Sequence, residues 1–200
     1  MIRSIVDKIN AGNWGNWEIS VLHGAVDFRT LSDKEKQYIS KAFARHGPAS
    51  KAGCRMDSDV SFIVRLKLSD PETLKDLSEA FRVGYFDASD AAAVCRRVAD
   101  VRLLPIAAKF LFTDKAPKKV EMSDVLVEVS PSIHSASAIS GLLAVCPEFP
   151  EAVRKAVKTW DHYDISQQDF LSIYRKWWSE NRQRIEKGKY GEVTAPASRQ

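Results

Sequence analysis

Among the side chains in this 200-residue chain that could ligate a metal or attack a substrate are four histidines and three cysteines. His23, His46, His134 and His162 have no second histidine or cysteine at i+2, i+3 or i+4, the spacing that brings two ligands onto one face of a helix or strand. Each is expected to be a surface or satisfied core residue. Cys54, Cys95 and Cys146 are odd in number, far apart and never in a CxxC pair. That argues against a disulfide framework and a thiolate metal site, and leaves them as small packing residues in a reducing compartment. The acid pairs Asp57/Asp59 and Asp87/Asp90 fit helix starts, where free amides favour carboxylates. No phosphate-cradling glycine loop, GxSxG turn or metalloprotease helix occurs. The expectation is a protein without catalytic residues, metal or cofactor.

Charge offers a different chemistry. The formal net charge is only +4, but it is unevenly spread. Lys41, Arg45, Lys51, Arg55, Arg65 and Lys67 stand against Asp57 and Asp59. Arg96, Arg97, Arg102, Lys109, Lys115, Lys118 and Lys119 stand against Asp100 and Asp114. Acidic stretches follow each block. Basic segments gathered on one face are the usual electrostatic footprint for phosphate, while scattered ones are solvated helix faces.

The elements that must position these residues read as helices, so the fold class is all-α, mainly helical. Ile2, Ile5, Val6 and Ile9 recur at helical spacing, and Asn10 to Asn16 breaks the pattern. Residues 17–27 fit a strand or a helix interrupted by Gly24, with Trp17 and Leu22 as core. Thr30 to His46 is a helix opened by the reciprocal pair Ser32 and Glu35 and stopped at Gly47-Pro48. A short helix closed by Gly53 and a second helix from Asp57 to Lys67 follow. Next comes a helix starting at Asp70-Pro71-Glu72 with Leu74, Leu77 and Phe81 inward. Two more run from Asp87 to Phe112, the second tolerating Pro105 in its first turn. Residues 121–130 fit an edge strand or a short capped helix. Ser132 to Val145 and Ala152 to His162 are helices. In Ser166 to Lys187, Phe170, Tyr174, Trp177, Trp178 and Ile185 form one broad apolar face that needs this chain's own core or a second copy.

This organisation gives four segments: 1–30, a helix and irregular stretch; 31–146, the main helical domain; 147–187, a C-terminal helical pair; and 188–200, a disordered tail. No apolar run is long enough to cross a membrane and the N-terminus lacks a signal-peptide pattern, so a cytoplasmic protein without membrane attachment is expected.

Two short helices joined by a Gly-containing turn and preceded by a supporting helix outline a helix-turn-helix. The helix from Asp57 to Lys67 would enter the major groove of duplex DNA. Val60, Ile63 and Val64 would face inward, and Ser58, Asp59, Ser61, Phe62 and Arg65 the DNA. Arg65 could pair with a guanine edge; Lys51, Arg55 and Lys67, joined by Arg96, Arg97 and Arg102, would meet phosphates.

Lys36 through Phe112 resembles the DNA-binding region of ParB-like plasmid partition proteins of the RepB type. The likeness lies in Ala49, Ala52 and Gly53 followed by Asp57 to Arg65-Leu66. It continues in Phe86, Ala92, Val94 and Arg96-Arg97, in Arg102 to Ala108, and in the closing ENRQRIEKGKYGE. The turn is about one residue longer than the family's, Leu103 stands where the family has glutamine, and Leu104-Pro105 breaks the pattern. No GxxR-R box precedes the motif. The resemblance implies DNA binding in plasmid or phage maintenance without a CTP-gated clamp. An alternative from the residues is an all-helical accessory subunit or inhibitor. It would act through protein contacts in a nucleic-acid-processing or phage-defence complex, such as a small subunit of an RNA-guided effector, with the C-terminal helix as a dimer or partner surface.

Overall fold

The periodic apolar residues close into helices where the spacing places them. The computed structural model of the chain describes residues 2–15, 18, 21–22, 27–46, 58–113, 118–122, 125–129, 131–158 and 167–196. Among these, nine α-helices and one two-stranded sheet make a mainly helical architecture. Clustering of contacts divides the chain into two compact units, Met1–Phe86 and Asp87–Gln200. The division falls inside the segment 31–146 that composition suggested as one domain. It sits at Gly84 to Asp87, where one helix closes and the next is capped, with no change of composition to mark it.

The first unit contains α1 (Ile2–Asn10), α2 (Asp33–His46), α3 (Ser58–Lys67) and α4 (Thr73–Arg82). Its core gathers Ile5, Val6 and Ile9 of α1, Ile39, Ala42 and Phe43 of α2, and Val64 of α3, with Leu22, Phe28 and Leu68. Helix α2 begins as its sequence dictates. The Ser32 amide and hydroxyl donate to the Glu35 carboxylate at 2.9 and 2.6 Å, and the Glu35 amide donates back at 3.4 Å. In α4 the buried stripe is Thr73, Leu77 and Ala80, with Leu74 and Phe81 half-buried. The inward face thus sits one position off the expected Leu74–Leu77–Phe81 set. Leu22 is buried as expected; Trp17, the Gly47-Pro48 stop and the short helix ending at Gly53 lie outside the described residues.

The second unit contains α5 (Ala88–Val98), α6 (Leu104–Lys109), α7 (Pro131–Val145), α8 (Glu151–Lys158) and α9 (Gln167–Glu186). Asp87 caps α5 by accepting from the Ser89 and Asp90 amides at 2.7 and 3.1 Å, while Asp90 accepts from the Asp87 amide at 3.0 Å. That is the helix-start role expected of this acid pair. Helix α7 is the centre of the unit, packed against α5, α6, α8 and α9. Its closest partner is α5, and both helices bring small buried side chains to the unit: Ala88, Ala91 and Ala92 from α5, Ser135, Ala136 and Ala138 from α7. Small residues allow close helix approach, and the Ser135 hydroxyl is satisfied by the Ala107 carbonyl. Between α6 and α7, strands β1 (Lys118–Met122) and β2 (Val125–Val129) pair antiparallel with Val120 opposite Val127. The stretch that fitted either strand or short helix is therefore the second half of a hairpin.

Two expectations about the C-terminus are corrected. Phe170, Tyr174, Trp177, Trp178 and Ile185 are all buried within the chain itself, at 7% exposure or less, so this face is covered without a second copy. Nor is 188–200 free throughout. Gly188 reverses the chain with φ of 70°, Val193 is buried, and the Trp177 indole N–H donates to the Thr194 carbonyl at 2.5 Å. The polar composition hid one apolar anchor and a backbone acceptor that the buried indole requires.

Candidate functional site

Helix α3 is the element on which the groove-binding expectation rests. It is a consequence of the run VSFIVRLKL, in which Ser61 and Arg65 are the polar residues before Lys67. A helix so apolar around its circumference is buried on all sides, and residues 61 to 66 are all buried. The Ser61 hydroxyl donates to the Phe43 carbonyl at 3.4 Å. Phe62 packs edge-on against Phe86, ring centroids 5.4 Å apart at 85°. Both side chains were expected to face DNA; both serve the interior.

Arg65 is corrected most sharply. It is 3% exposed, with Nε donating to Asp70 Oδ2 at 2.7 Å and an Nη2–Oδ2 contact of 2.7 Å to Asp76. Asp70 also accepts from the Ser40 hydroxyl at 2.7 Å and the Glu72 amide at 3.1 Å. A guanidinium can be buried when its fork is matched by carboxylates, and here two are supplied from the turn after α3 and from α4. Burial pushes the Asp70 carboxyl up, but Ser40, Arg65 and the Glu72 amide together outweigh it and hold it below the usual aspartate value. The sequence carried a signal for this: acids at five and eleven residues beyond an arginine set in an otherwise apolar helix.

The remaining predicted contacts belong to different units or lie outside the described residues. Lys51 and Arg55 lie outside the described residues, and Ser58 and Asp59 occupy the first turn of α3. Lys67 is exposed, its ammonium 5.8 Å from the Phe28 ring centroid. Arg96 and Arg97 are exposed in the last turn of α5, in the second unit. Arg102 is engaged by Asp100, with Nη2 2.5 Å from Oδ2. In the first unit, an open cleft of about 430 Å³ lies between α2 and the turn at 68–71, bordered by Lys36, Gln37, Ser40, Lys41 and Asp70.

The described residues hold no cluster of three metal-ligating side chains. His46 belongs to the first unit and His134 to the second. Burial lowers the pKa of both. Cys95 and Cys146 are buried, and burial pushes each thiol up to about 12. No described helix is long and apolar enough to cross a membrane. Comparison with protein-family models, curated proteins and solved structures returned no match for the chain.

Proposed function

We propose that this chain is a non-catalytic, mainly helical accessory subunit that works through protein contacts in a nucleic-acid-processing assembly. The observation that carries the reading is the inward orientation of α3, whose Ser61, Phe62 and Arg65 are spent on the core. A recognition helix needs its polar side chains at the base edges. An arginine held by two carboxylates cannot reach them without leaving both acids unpaired. The partition-family reading placed Arg65 on the DNA side, so the geometry favours the alternative.

The second unit offers a surface of the required kind. Phe112 is 51% exposed, the Arg175 guanidinium lies 5.9 Å from its ring centroid, and Arg175 Nε donates to the Leu111 carbonyl at 2.7 Å. An exposed aromatic beside a positioned arginine is the combination on which protein interfaces concentrate their binding energy. The test has two arms. A tagged chain purified from its own cells at moderate salt should bring down one protein in fixed ratio, and Phe112→Asp should lose it while keeping the helical circular-dichroism signal. Selection from a random duplex pool should yield no motif. An enriched motif, with no partner in fixed ratio, would overturn the reading.

A further inference from the structure

Strands β1 and β2 form a sheet of their own, and no third described strand lies beside either. Among the described elements, none makes an extended contact with the pair. An isolated two-stranded ribbon is marginal in water, whereas three or more strands with one apolar face hold together. The register sorts the residues of this ribbon into two faces. Val120, Met122, Val125, Val127 and Val129 fall on one, with Lys118 at its end; Lys119, Glu121, Leu126 and Glu128 fall on the other. Lys119 stands opposite Glu128, so the polar face already sets a cation against an acid across the ribbon. Each strand keeps one edge that no described strand occupies, and an open edge is a template for another strand.

We infer that the edge of β1 away from β2 pairs antiparallel with the same edge of a second copy of this chain, making a four-stranded sheet about a two-fold axis at Val120. The choice of partner rests on charge. With Val120 facing its own counterpart, Lys119 stands opposite Glu121 of the second copy, and Glu121 opposite its Lys119. The polar face then runs Glu128, Lys119 from one copy into Glu121, Leu126 of the other, alternating acid, cation, acid. A slip of two residues in either direction sets Lys119 against Lys119 or Glu121 against Glu121, and like charges directly opposite are destabilising. A slip of one turns the polar residues of the second copy onto the apolar face. The β2 edge has no such match: paired with itself about Val127, it sets Leu126 against Glu128. Pairing β1 with β2 of another copy is head-to-tail and yields chains or rings, whereas β1 with β1 uses one patch on both copies and closes as a dimer. The contact uses none of the residues of the Phe112 and Arg175 surface and does not depend on what that surface binds.

Sedimentation velocity of the full chain across a micromolar concentration series tests this, and the parent should pass from monomer to dimer. Glu121→Lys sets lysine against lysine at both charged positions and should raise the dimer dissociation constant about tenfold or more. Position 121 faces Leu126 within the hairpin, so no charge pair inside the chain is lost. The converse variant combines Lys119→Glu with Glu128→Lys, which keeps the pair inside the hairpin and sets glutamate against glutamate between copies; it should weaken the dimer likewise. Mixed together, the two variants restore both attractive pairs and should form a one-to-one heterodimer. Phe112→Asp should dimerise as the parent does, and circular dichroism reports the fold of each variant. A parent monomeric throughout the series, leaving the edge to a strand of another protein, would overturn the inference. So would unchanged self-association in Glu121→Lys, failure of the mixed variants to pair, or loss of the dimer in Phe112→Asp.

Discussion

A buried arginine between two carboxylates sets how the first unit responds to mutation and to acid. Removing one partner of such a group strands the others in the interior, at a cost of about 3–5 kcal/mol. Arg65→Ala should therefore lower the unfolding free energy of the first unit by that amount in a urea titration, whereas a DNA-facing arginine would leave stability nearly unchanged. The Asp70 carboxyl is held below its ordinary value of 3.8 in the folded state. Its contribution is present above that value and is lost as pH falls through the lower folded one. His46 acts at a higher pH. Neither ring nitrogen has a hydrogen-bond partner among the described residues, and burial, followed by the Arg45 charge, lowers its pKa below 6.5. The folded state then binds fewer protons than the unfolded chain below 6.5, so stability falls as pH drops through that value toward the lower folded one. His46→Leu should flatten this part of the stability–pH curve, read as the urea midpoint between about pH 7 and 5.5. Cys95 and Cys146, with thiols near 12, should stay unmodified by iodoacetamide in the native chain and react on unfolding, as peptide mass spectrometry would show.

At the scale of elements, four helices end in the same way with different residues. After α1, α3, α4 and α9 the chain turns through a left-handed residue at Gly12, Ser69, Gly84 and Gly188, with φ of 73°, 57°, 77° and 70°. In each case the next amide reaches back five residues: Asn13 to Lys8, Asp70 to Arg65, Tyr85 to Ala80 and Lys189 to Arg184, at 2.9, 3.1, 2.8 and 2.8 Å. Glycine adopts this conformation freely and serine does not, so Ser69→Gly should stabilise the first unit by about 1 kcal/mol in the same titration. The helix ends were legible because capping chemistry is local: Ser32 with Glu35, Asp87 with Asp90 and Gly84 announce themselves within a few residues. The orientation of α3 was not legible in that way. Periodicity over Val60, Ile63 and Val64 identifies one inward face, and choosing the fate of Phe62 and Arg65 requires knowing that Phe86, Asp70 and Asp76 come to meet them. Those are tertiary facts, and they decided the candidate site. The apolar face of α9 was readable as needing a cover, but the pattern alone is the same whether a second copy or α7 supplies it.

Across the whole molecule, two separate cores mean that one chain carries two sets of stabilising contacts. The first is built around α2 and α3 with the Arg65 cluster beneath. The second is built around α7, with α9 laid against it; along α9 the buried rings of Phe170, Tyr174 and Trp177 meet one another edge to face at centroid distances of 5.0 and 6.2 Å. Trp177 ties the C-terminal segment to this core through Thr194, and Asn181 accepts from the Thr194 amide at 3.3 Å. Ending the chain after Lys189 would remove Val193 and that acceptor together, exposing apolar surface and leaving a buried indole N–H without a partner. Loss of the valine burial costs about 1.5–3 kcal/mol and the unpaired donor about 1–3 more. Hydrogen exchange separates the two cores where a single melting curve merges them. Truncation after Lys189 should speed exchange through α7 and α9, and Arg65→Ala should speed it through α2, α3 and α4. Each change should leave the other set of amides near its parental rates, because the contacts it removes belong to a different core. Matched acceleration in both sets by either change would mean that the chain opens as one cooperative body, and the division at residue 86 would then have no energetic meaning.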